Sequence, residues 1–568
     1  MSRLSKHIRI VISSAVALFI YSGTQAQQKQ FDTIDVNVYT HYKPTIHDAV
    51  KIGTNPNVAD SVCLARNVKY DFVNTQFPTS YTPPLIPSMQ IKGEAPEKLF
   101  HSLLNAGIGN YNTLYAEYFF NSTRSENMDY GIHLNHFSSD YTTNNLGYSA
   151  FAFNNVDAYG KKFFKEHTLS LEANFENHIL HDYGYNSSVE QPLILNNNFN
   201  TITRERFNLM QGKLEYESNY EDSSKIGHEI ELSYYNFNDI YNATENNFDA
   251  DMKFFTYFNE QRIDLRAGVG YVNNINRVEN ATDWDLFLNP YFTTKEKHWD
   301  AHLGAKFNYV PSEKKGNIYP DLLVRYHIAQ DIVMIYAGID GNQKLNTYRS
   351  LAARNPFITD TLKKEYTYTQ YHVFAGVAGN ITSQLTYDLN VSQSMVKNMA
   401  LFITDTLEPL RNRFDVVYDN VKVMNFHADI NYNMKNNLNV GLAADYNIYT
   451  TTNEVAAWYN PALKISATGR YTLNDKYIFK AEFFVVGSQY APTYNYVPNR
   501  GAAYPDIPSV VAKTLPGYPD LNLGVEYKYN KVFTAFLNLN NVANVNYYAW
   551  DNYPMQRFNF LLGIRFGF

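Results

Sequence analysis

Apolar and polar side chains alternate along the chain with a period of two residues from about residue 100 to the C-terminus. The alternation is unbroken or nearly so in five segments, namely 169–176, 263–271, 299–309, 438–448 and 521–529. Successive side chains of a β-strand point to opposite faces of a sheet, so each segment has one apolar face and one polar face. The pattern predicts a protein built almost wholly from β-strands.

The length of these segments indicates which kind of β protein this is. They run for about 10–13 residues, whereas strands of soluble proteins most often have about 5–6. A tilted strand of about 11 residues spans the roughly 25 Å apolar band of an outer membrane, and aromatic residues lie near many segment ends, as an interfacial girdle requires. We therefore predict a large transmembrane antiparallel β-barrel. A soluble sandwich or propeller is the alternative.

The connections between the segments alternate between short and long. Short connections are predicted at 222–225, 259–261, 294–297, 329–331, 435–436, 474–476 and 530–531. Long connections are predicted near 179–204, 273–283, 346–365, 405–412, 490–519 and 543–556. Short periplasmic turns and long external loops are typical of bacterial outer-membrane barrels. If the last strand ends in the periplasm, the count is about 22 strands, with 16–20 as alternatives.

Composition and charge exclude several classes of protein. The chain has 568 residues, of which 16% are aromatic and 45% hydrophobic, so it is not a disordered chain. The net charge of −7 gives no basic surface, which argues against a nucleic-acid partner. The single cysteine, Cys63, excludes a disulfide framework and a multi-cysteine zinc site.

The N-terminus has the three parts of a secretory signal peptide. Arg3, Lys6 and Arg9 precede an apolar run at 10–20, and small residues before the cut suit cleavage after Ala26. The run is shorter than the ~20 residues of a spanning helix, although an uncleaved anchor is the alternative. We predict a signal peptide at 1–26, an irregular segment at 27–100 and the barrel at 101–568.

The C-terminus carries a resemblance to a known family. The last strand alternates apolar side chains up to a terminal aromatic residue, through Phe558, Phe560, Leu562, Ile564, Phe566 and Phe568. Upstream stand Leu539-Asn540-Asn541 and Tyr547-Tyr548-Ala549-Trp550-Asp551-Asn552-Tyr553-Pro554. Together these resemble the closing hairpin of TonB-dependent receptors, especially those of Bacteroidetes. Met555 and Gln556 stand where that family commonly has Pro-Gly, so the match is partial.

The resemblance implies an outer-membrane receptor or channel that admits a nutrient or another ligand. It implies contact with outer-membrane lipid and lipopolysaccharide, and recognition of Phe566 and Phe568 by the barrel-assembly machinery. A surface lipoprotein and TonB are further implied partners. The family's N-terminal plug exceeds a hundred residues, whereas only 27–100 is available here. The chain therefore resembles a receptor with a reduced plug or gate, in which 31–38 is similar to a degenerate TonB box.

Candidate chemistry is sparse, and we predict no enzyme, no cofactor and no metal. Phosphate-binding loops and the HExxH and GxSxG motifs are absent from the sequence. His178, His181 and Asp182 cluster where a strand enters a long loop, either as a metal site or as a solvated loop. The lumenal carboxylates should be neutralised by Lys or Arg across the barrel rather than be catalytic; they are Glu172, Glu229, Glu231, Asp264 and Glu482.

The loop at 490–519 is the candidate surface for an external ligand or partner. It combines several prolines with one cation and five tyrosines, namely Arg500, Tyr490, Tyr494, Tyr496, Tyr504 and Tyr518. Tyrosine offers rigid amphipathic contact area at low entropic cost. The loop is either a docking surface for a lipoprotein or polymeric ligand, or a lid packed on its own barrel. The chain as a whole is a receptor or channel, or alternatively a structural or assembly subunit that transports nothing.

Overall fold

The structure is a computed structural model, and it describes residues 99–568 apart from gaps at 142–144, 186–202, 221–223, 259–260, 279, 330–331, 409, 435–436 and 498–506. The predicted signal peptide with its cleavage after Ala26, and nearly all of the segment predicted at 27–100, lie outside the described residues. Among the described residues, no helix is both long enough and apolar enough to cross a membrane.

Twenty-two antiparallel strands form one sheet. The first eleven are β1 (Ser102–Gly109), β2 (Thr113–Asn121), β3 (Met128–Ser139), β4 (Phe151–Phe163), β5 (His167–His181), β6 (Arg204–Ser218), β7 (Gly227–Asn238), β8 (Thr244–Phe258), β9 (Gln261–Ile275), β10 (Asn280–Lys295) and β11 (Trp299–Val310). The others are β12 (Lys315–Ala329), β13 (Val333–Leu345), β14 (Tyr366–Thr382), β15 (Leu385–Thr404), β16 (Phe414–Met434), β17 (Leu438–Thr451), β18 (Leu463–Leu473), β19 (Tyr477–Val486), β22 (Tyr518–Lys528), β23 (Phe533–Asn540) and β26 (Asn559–Gly567).

The sheet closes on itself because its last strand pairs with its first. Leu104 of β1 lies opposite Phe566 of β26. The backbone of Ser102 also exchanges two hydrogen bonds of 2.9 Å with that of Phe568. Each of the 22 barrel strands therefore has two neighbours, and the sheet, as far as the structure describes it, has no open edge with unpaired backbone groups, as a barrel in lipid requires. The predicted barrel and the count of 22 strands are confirmed.

The alternation of connections is also present, with one predicted loop wrong. Every connection after an even-numbered barrel strand has eight residues or fewer, as at 474–476 between β18 and β19. Asn474 and Asp475 have φ of 52° and 55° there, the left-handed conformation that tight hairpin turns need and that these residue types tolerate. The long loop predicted at 273–283 is wrong, because β9 and β10 extend far enough to leave only 276–279 between them.

Long loops at the other end carry the remaining elements. Loop 346–365 contains the helix α1 (Tyr348–Arg354). Loop 487–517 contains a hairpin of β20 (Gln489–Val497) and β21 (Ile507–Leu515), and the last loop contains the short pair β24 (Tyr548–Trp550) and β25 (Tyr553–Pro554).

Strand β11 shows how the two faces of the wall differ. Leu303 is 43% exposed and points outward, towards the lipid. Lys306 points into the lumen, where its Nζ lies 3.7 Å from Oδ1 of Asp321. The period of two residues thus separates lipid-facing and lumenal side chains in the register that the sequence predicts.

Candidate functional site: the loop cap and the lumenal wall

The lumenal wall carries charged side chains that neutralise one another. Three of the five carboxylates singled out in the sequence have cationic partners: Glu229 with Lys253 at 3.1 Å, Glu231 with Lys213 at 3.0 Å, and Asp264 with Arg262 at 2.9 Å. Of the other two, Glu482 lies 3.4 Å from the Asn522 amide, and Glu172 lines a hollow of the wall together with Lys213. Pairing of this kind offsets the cost of partly desolvating each charge.

A chain of hydrogen bonds and ion pairs crosses the seam where the barrel closes. His133 lies 2.9 Å from Asp157 and 3.0 Å from Glu117, and the Asn105 amide donates to Glu117 at 2.7 Å. The chain continues across the seam through Arg565, which donates to Asn105 at 3.0 Å and to Glu526 at 3.2 Å, and then through Lys480. Side chains thus reinforce the closure made by the backbone.

Loops from opposite sides of the barrel meet over its external end. We call them the loop cap: 182–185, 239–243, 346–365, 405–413, 452–462 and 541–558. Their apolar side chains join those at the tops of β5–β7 and β15–β16 in a single buried cluster. Strands β5 and β15, like β6 and β16, are separated by ten positions in a barrel of 22 strands, so the two sets face each other across the lumen. Trp458 and Leu351 are fully buried in this cluster.

Helix α1 is held in place at its N-terminus. The Thr347 side chain caps the helix by accepting from the Ser350 backbone N–H at 3.1 Å. The buried carboxylate of Glu245 accepts from the Tyr348 backbone N–H at 2.6 Å. Tyr348, Leu351 and Ala352 form the buried face. The sequence analysis missed this helix, although the Thr347 cap and the i, i+3, i+4 spacing were its signals, because seven residues are too few for a helical period to stand out.

A buried ion pair links two loops across the mouth of the barrel. The Arg413 Nε donates to Oδ2 of Asp182 at 2.8 Å, and the two side chains are 7% and 2% exposed. The Asn412 amide donates to the Asp182 carbonyl at 2.6 Å, and the Arg413 guanidinium lies 4.3 Å from the centre of the Tyr241 ring. Burial raises the pKa of Asp182 to about 6, although the positive charge of Arg413 opposes that shift.

The His178, His181 and Asp182 cluster is not a solvated loop, because each side chain bonds to a different neighbouring group. The His178 ring lies 3.0 Å from the Asn155 side-chain oxygen, and the His181 ring bonds the Ala150 carbonyl at 2.7 Å. Within residues 99–568 as described, no group of three His, Cys, Asp or Glu side chains could hold a metal ion. The solvated-loop expectation is wrong because Asp182 is drawn into the cap by a cation that lies 231 residues away in the sequence.

The last loop, 541–558, links three other loops of the cap. The Tyr553 hydroxyl donates to the Asn412 carbonyl, and the Tyr553 ring stacks on Phe357 with centroids 3.9 Å apart. The Tyr183 hydroxyl donates to the Pro554 carbonyl at 3.0 Å. Three loops that are remote in sequence therefore share one contact region around Tyr553.

The tyrosines of the predicted docking loop that the structure describes do not form one surface. Tyr490 and Tyr494 lie on β20, and Tyr490 is 44% exposed. Tyr518 begins β22 and stacks on Tyr547 of the last loop at 3.9 Å, so it contributes to packing. Arg500 and Tyr504 lie outside the described residues, as does the side chain of Tyr496.

The C-terminal aromatic residues have accessible side chains at the closing seam. Phe566 is 40% exposed and Phe568 is 56% exposed, and their ring centroids lie 5.5 Å apart. Phe568 also makes the backbone contact with Ser102 described above. Their role as an assembly signal stays a prediction.

Comparison with solved structures extends over most of the chain. The Escherichia coli K12 ferric-catecholate import receptor Fiu matches with a TM-score of 0.59 and 10% identity, covering 83% of this chain and 82% of that one. The FrpB iron transporter from Neisseria meningitidis matches with a TM-score of 0.63 and 12% identity, over 83% and 82%. The ferric enterobactin receptor PfeA of Pseudomonas aeruginosa gives 0.60 and 13%, over 82% and 80%.

The chain has the barrel fold of the TonB-dependent receptors. The strand number and the pattern of short and long connections agree with this fold, and they place the chain in the outer membrane. No protein-family model and no curated protein sequence matches the chain. At the identities found, the likeness to TonB-dependent receptors concerns the fold.

Proposed function

We propose that this protein is an outer-membrane receptor or channel that admits a nutrient or another ligand, and that the loop cap is its external gate. The observation that carries the proposal is the single apolar cluster that joins opposite walls of the barrel. A 22-stranded barrel encloses a lumen wide enough to leak unless something fills or covers it. A cover made of loops can open, whereas a wall strand cannot leave the sheet without losing its backbone hydrogen bonds.

The lumenal wall supports passage rather than catalysis. Glu229 and Glu231 lie in ion pairs with neighbouring strands, and Asp264 pairs with Arg262 on its own strand. These pairings leave the three carboxylates poorly placed as general acids or bases. A wall of alternating paired charges keeps the lumen hydrated and gives a polar solute many weak contacts. Binding that is weak and distributed over many sites favours movement along a pore.

The parts of the chain that meet other molecules complete the proposal. Signal peptidase cleaves after Ala26, and the assembly machinery recognises Phe566 and Phe568. The segment 27–100 acts as a reduced plug or gate, and 31–38 engages TonB. The exposed face of the β20–β21 hairpin, with Tyr490, docks a surface lipoprotein, and the outer face of the barrel contacts phospholipid and lipopolysaccharide.

Conductance in a planar bilayer tests the gate. The mature protein should conduct rarely, whereas Arg413→Ala should give frequent large steps because it removes the cation that holds Asp182 across the mouth. Arg411→Ala is the matched control, since Arg411 lies in the same loop and is exposed; it should behave as the unaltered protein does. If none of the three proteins conducts, the result would contradict a channel function and favour the alternative, a structural or assembly subunit.

A further inference from the structure

A cavity of about 750 Å³ lies on the lumenal side of the loop cap. Its walls are the inward faces of β2–β7. Its roof is formed by Ala352 and Ala353 of helix α1 and by Pro356, which follows the helix. The outward neighbours of these wall residues are exposed, such as Leu134 at 40% and Val156 at 41%, which fixes the wall residues as lumenal. The size is within the range of about 300–1,000 Å³ that small-molecule sites have.

Aromatic rings form the apolar part of this cavity. Phe207 and Phe237 stack with centroids 5.3 Å apart and planes 13° apart, and Tyr348 closes over both rings edge-on. Phe153 continues the surface on β4 and meets the His178 ring edge-on at 4.9 Å. Flat apolar faces on several adjacent strands suit a ligand with a ring-shaped body.

Arg349 of α1 supplies a cation at the roof. Its guanidinium donates to the Gln211 side chain at 2.9 Å and lies 4.5 Å from the centre of the Tyr235 ring. Its backbone N–H lies 3.3 Å from the buried Glu245 carboxylate, which fixes the start of the helix. A guanidinium has five N–H donors, so these contacts leave further donors on Arg349, which lines the cavity.

Among the described residues, Arg349 has no carboxylate partner, unlike three of the cations on the nearby lumenal wall. Lys213, Lys253 and Arg262 each lie within about 3 Å of a carboxylate. Within the part of the chain that the structure describes, no carboxylate lies within 4.0 Å of the Arg349 guanidinium. The acidic residue among those that line the cavity, Glu176, lies 3.7 Å from the His178 ring. A partly desolvated cation without a counter-ion favours an anionic ligand.

We propose that this cavity binds an amphipathic organic anion, with one carboxylate or sulfonate group on an apolar ring. The acid group accepts from Arg349, and the ring lies against Phe153 and the stacked pair of Phe207 and Phe237. The site lies beneath the cap, so it is reached from the lumen or after the cap opens. The proposal does not depend on whether the barrel conducts.

Calorimetric titration of the full mature protein in detergent tests the site with two probes of the same shape. 2-Naphthalenesulfonate carries the anion, and 2-naphthalenemethanol is its neutral counterpart; titrations into empty micelles give the background. Arg349→Gln should weaken binding of the sulfonate by about tenfold or more and leave binding of the alcohol unchanged. Arg354→Gln is the matched control on the same helix, where Arg354 donates to the Ala400 carbonyl at 3.3 Å, and it should change neither.

A second variant tests the position of the site. Ala353→Trp places a large ring in the cavity from an exposed position on the roof, so it should abolish binding of both probes. Heat-dependent gel mobility checks that each variant forms the barrel. Equal sulfonate affinity in Arg349→Gln and the unaltered protein, undiminished binding in Ala353→Trp, or no saturable binding above micelles would each overturn the proposal.

Discussion

The barrel wall and the loop cap are held together in different ways. In the wall, each strand pairs with its two neighbours through continuous backbone ladders, such as the fifteen-residue register between β8 and β9. In the cap, side chains join loops that are remote in sequence, as Arg413 and Asp182 do across 231 residues. The wall therefore has many equivalent contacts, whereas the cap depends on a few. The cap should open under changes that leave the wall intact.

The largest expected effect comes from the buried ion pair of the cap. Arg413→Ala leaves the Asp182 carboxyl buried without its cation, which should destabilise the closed cap by about 3–5 kcal/mol. Hydrogen exchange in loops 346–365 and 405–413 should become at least about a hundredfold faster. Exchange in β8 and β9 should not change. Equal acceleration in the wall strands would show that cap and wall are one cooperative unit.

A charged side chain on the lipid-facing side of the wall should destabilise the barrel. Leu303→Arg should cost roughly 2–4 kcal/mol, because it places a cation in the apolar band. Lys306→Arg, three residues away on the lumenal face, should cost little since Asp321 remains beside it. Refolding into lipid vesicles at graded denaturant measures both variants. Similar losses for the two would contradict the assignment of faces, and exchange in the cap loops should be the same in both.

The pH should act on the cap through Asp182. Because the folded pKa, about 6, lies above the ordinary 3.8, the closed cap binds more protons than the open one. The protonated Asp182 carboxyl therefore stabilises the closed cap below about pH 4. This stabilisation is on the order of 2 kcal/mol and is lost as the pH rises through about 6. Burial also raises the pKa of Asp239, in the same direction.

Denaturant titration of tryptophan fluorescence at pH 4 and pH 7 measures this change, since Trp458 and Trp550 both belong to the cap. Asp182→Asn should reduce the difference between the two pH values. A cap that becomes more stable from pH 4 to pH 7 would contradict the stated direction.

A single hydrogen bond in the cap should have the smallest effect. Tyr553→Phe removes the donor to the Asn412 carbonyl and keeps the ring stacked on Phe357, so it should cost about 1 kcal/mol. Tyr529→Phe is the control, because Tyr529 is 66% exposed at a turn. Hydrogen exchange in loop 405–413 should quicken severalfold in the first variant and remain unchanged in the second.

Sequence alone predicted the wall well because its signal is local. Leu303 and Lys306 reveal their faces through the period of two residues, and the turn at 474–476 shows itself by residue type. The predicted loop at 273–283 failed because Asn273, Asn274 and Asn280 are polar residues that continue strands β9 and β10. Polar residues do not indicate a turn where a strand extends beyond the membrane into water, because such a strand is polar on both faces.

The cap was not predictable in the same way. Nothing near Asp182 in the sequence shows that Arg413 will bury it, and Tyr553 gives no sign that it will meet Asn412. Such contacts depend on where two loops are brought by strands that lie far apart in the barrel. The tyrosines at 490–518 show the same limit, because stacking of Tyr518 on Tyr547 removes one of them from the predicted docking surface.

The most direct test of the closed cap is labelling of a cysteine beneath it. In a Cys63→Ser background, Ala353→Cys places a thiol on the lumenal side of the cap, and Leu407→Cys places one at a loop position that is 91% exposed. A bulky polyethylene-glycol maleimide added to whole cells should label position 407 rapidly and position 353 hardly at all. When Arg413→Ala is introduced into the same protein, position 353 should become accessible to the maleimide. Equal labelling of positions 353 and 407 in the protein that retains Arg413 would contradict the conclusion that the loops close the barrel.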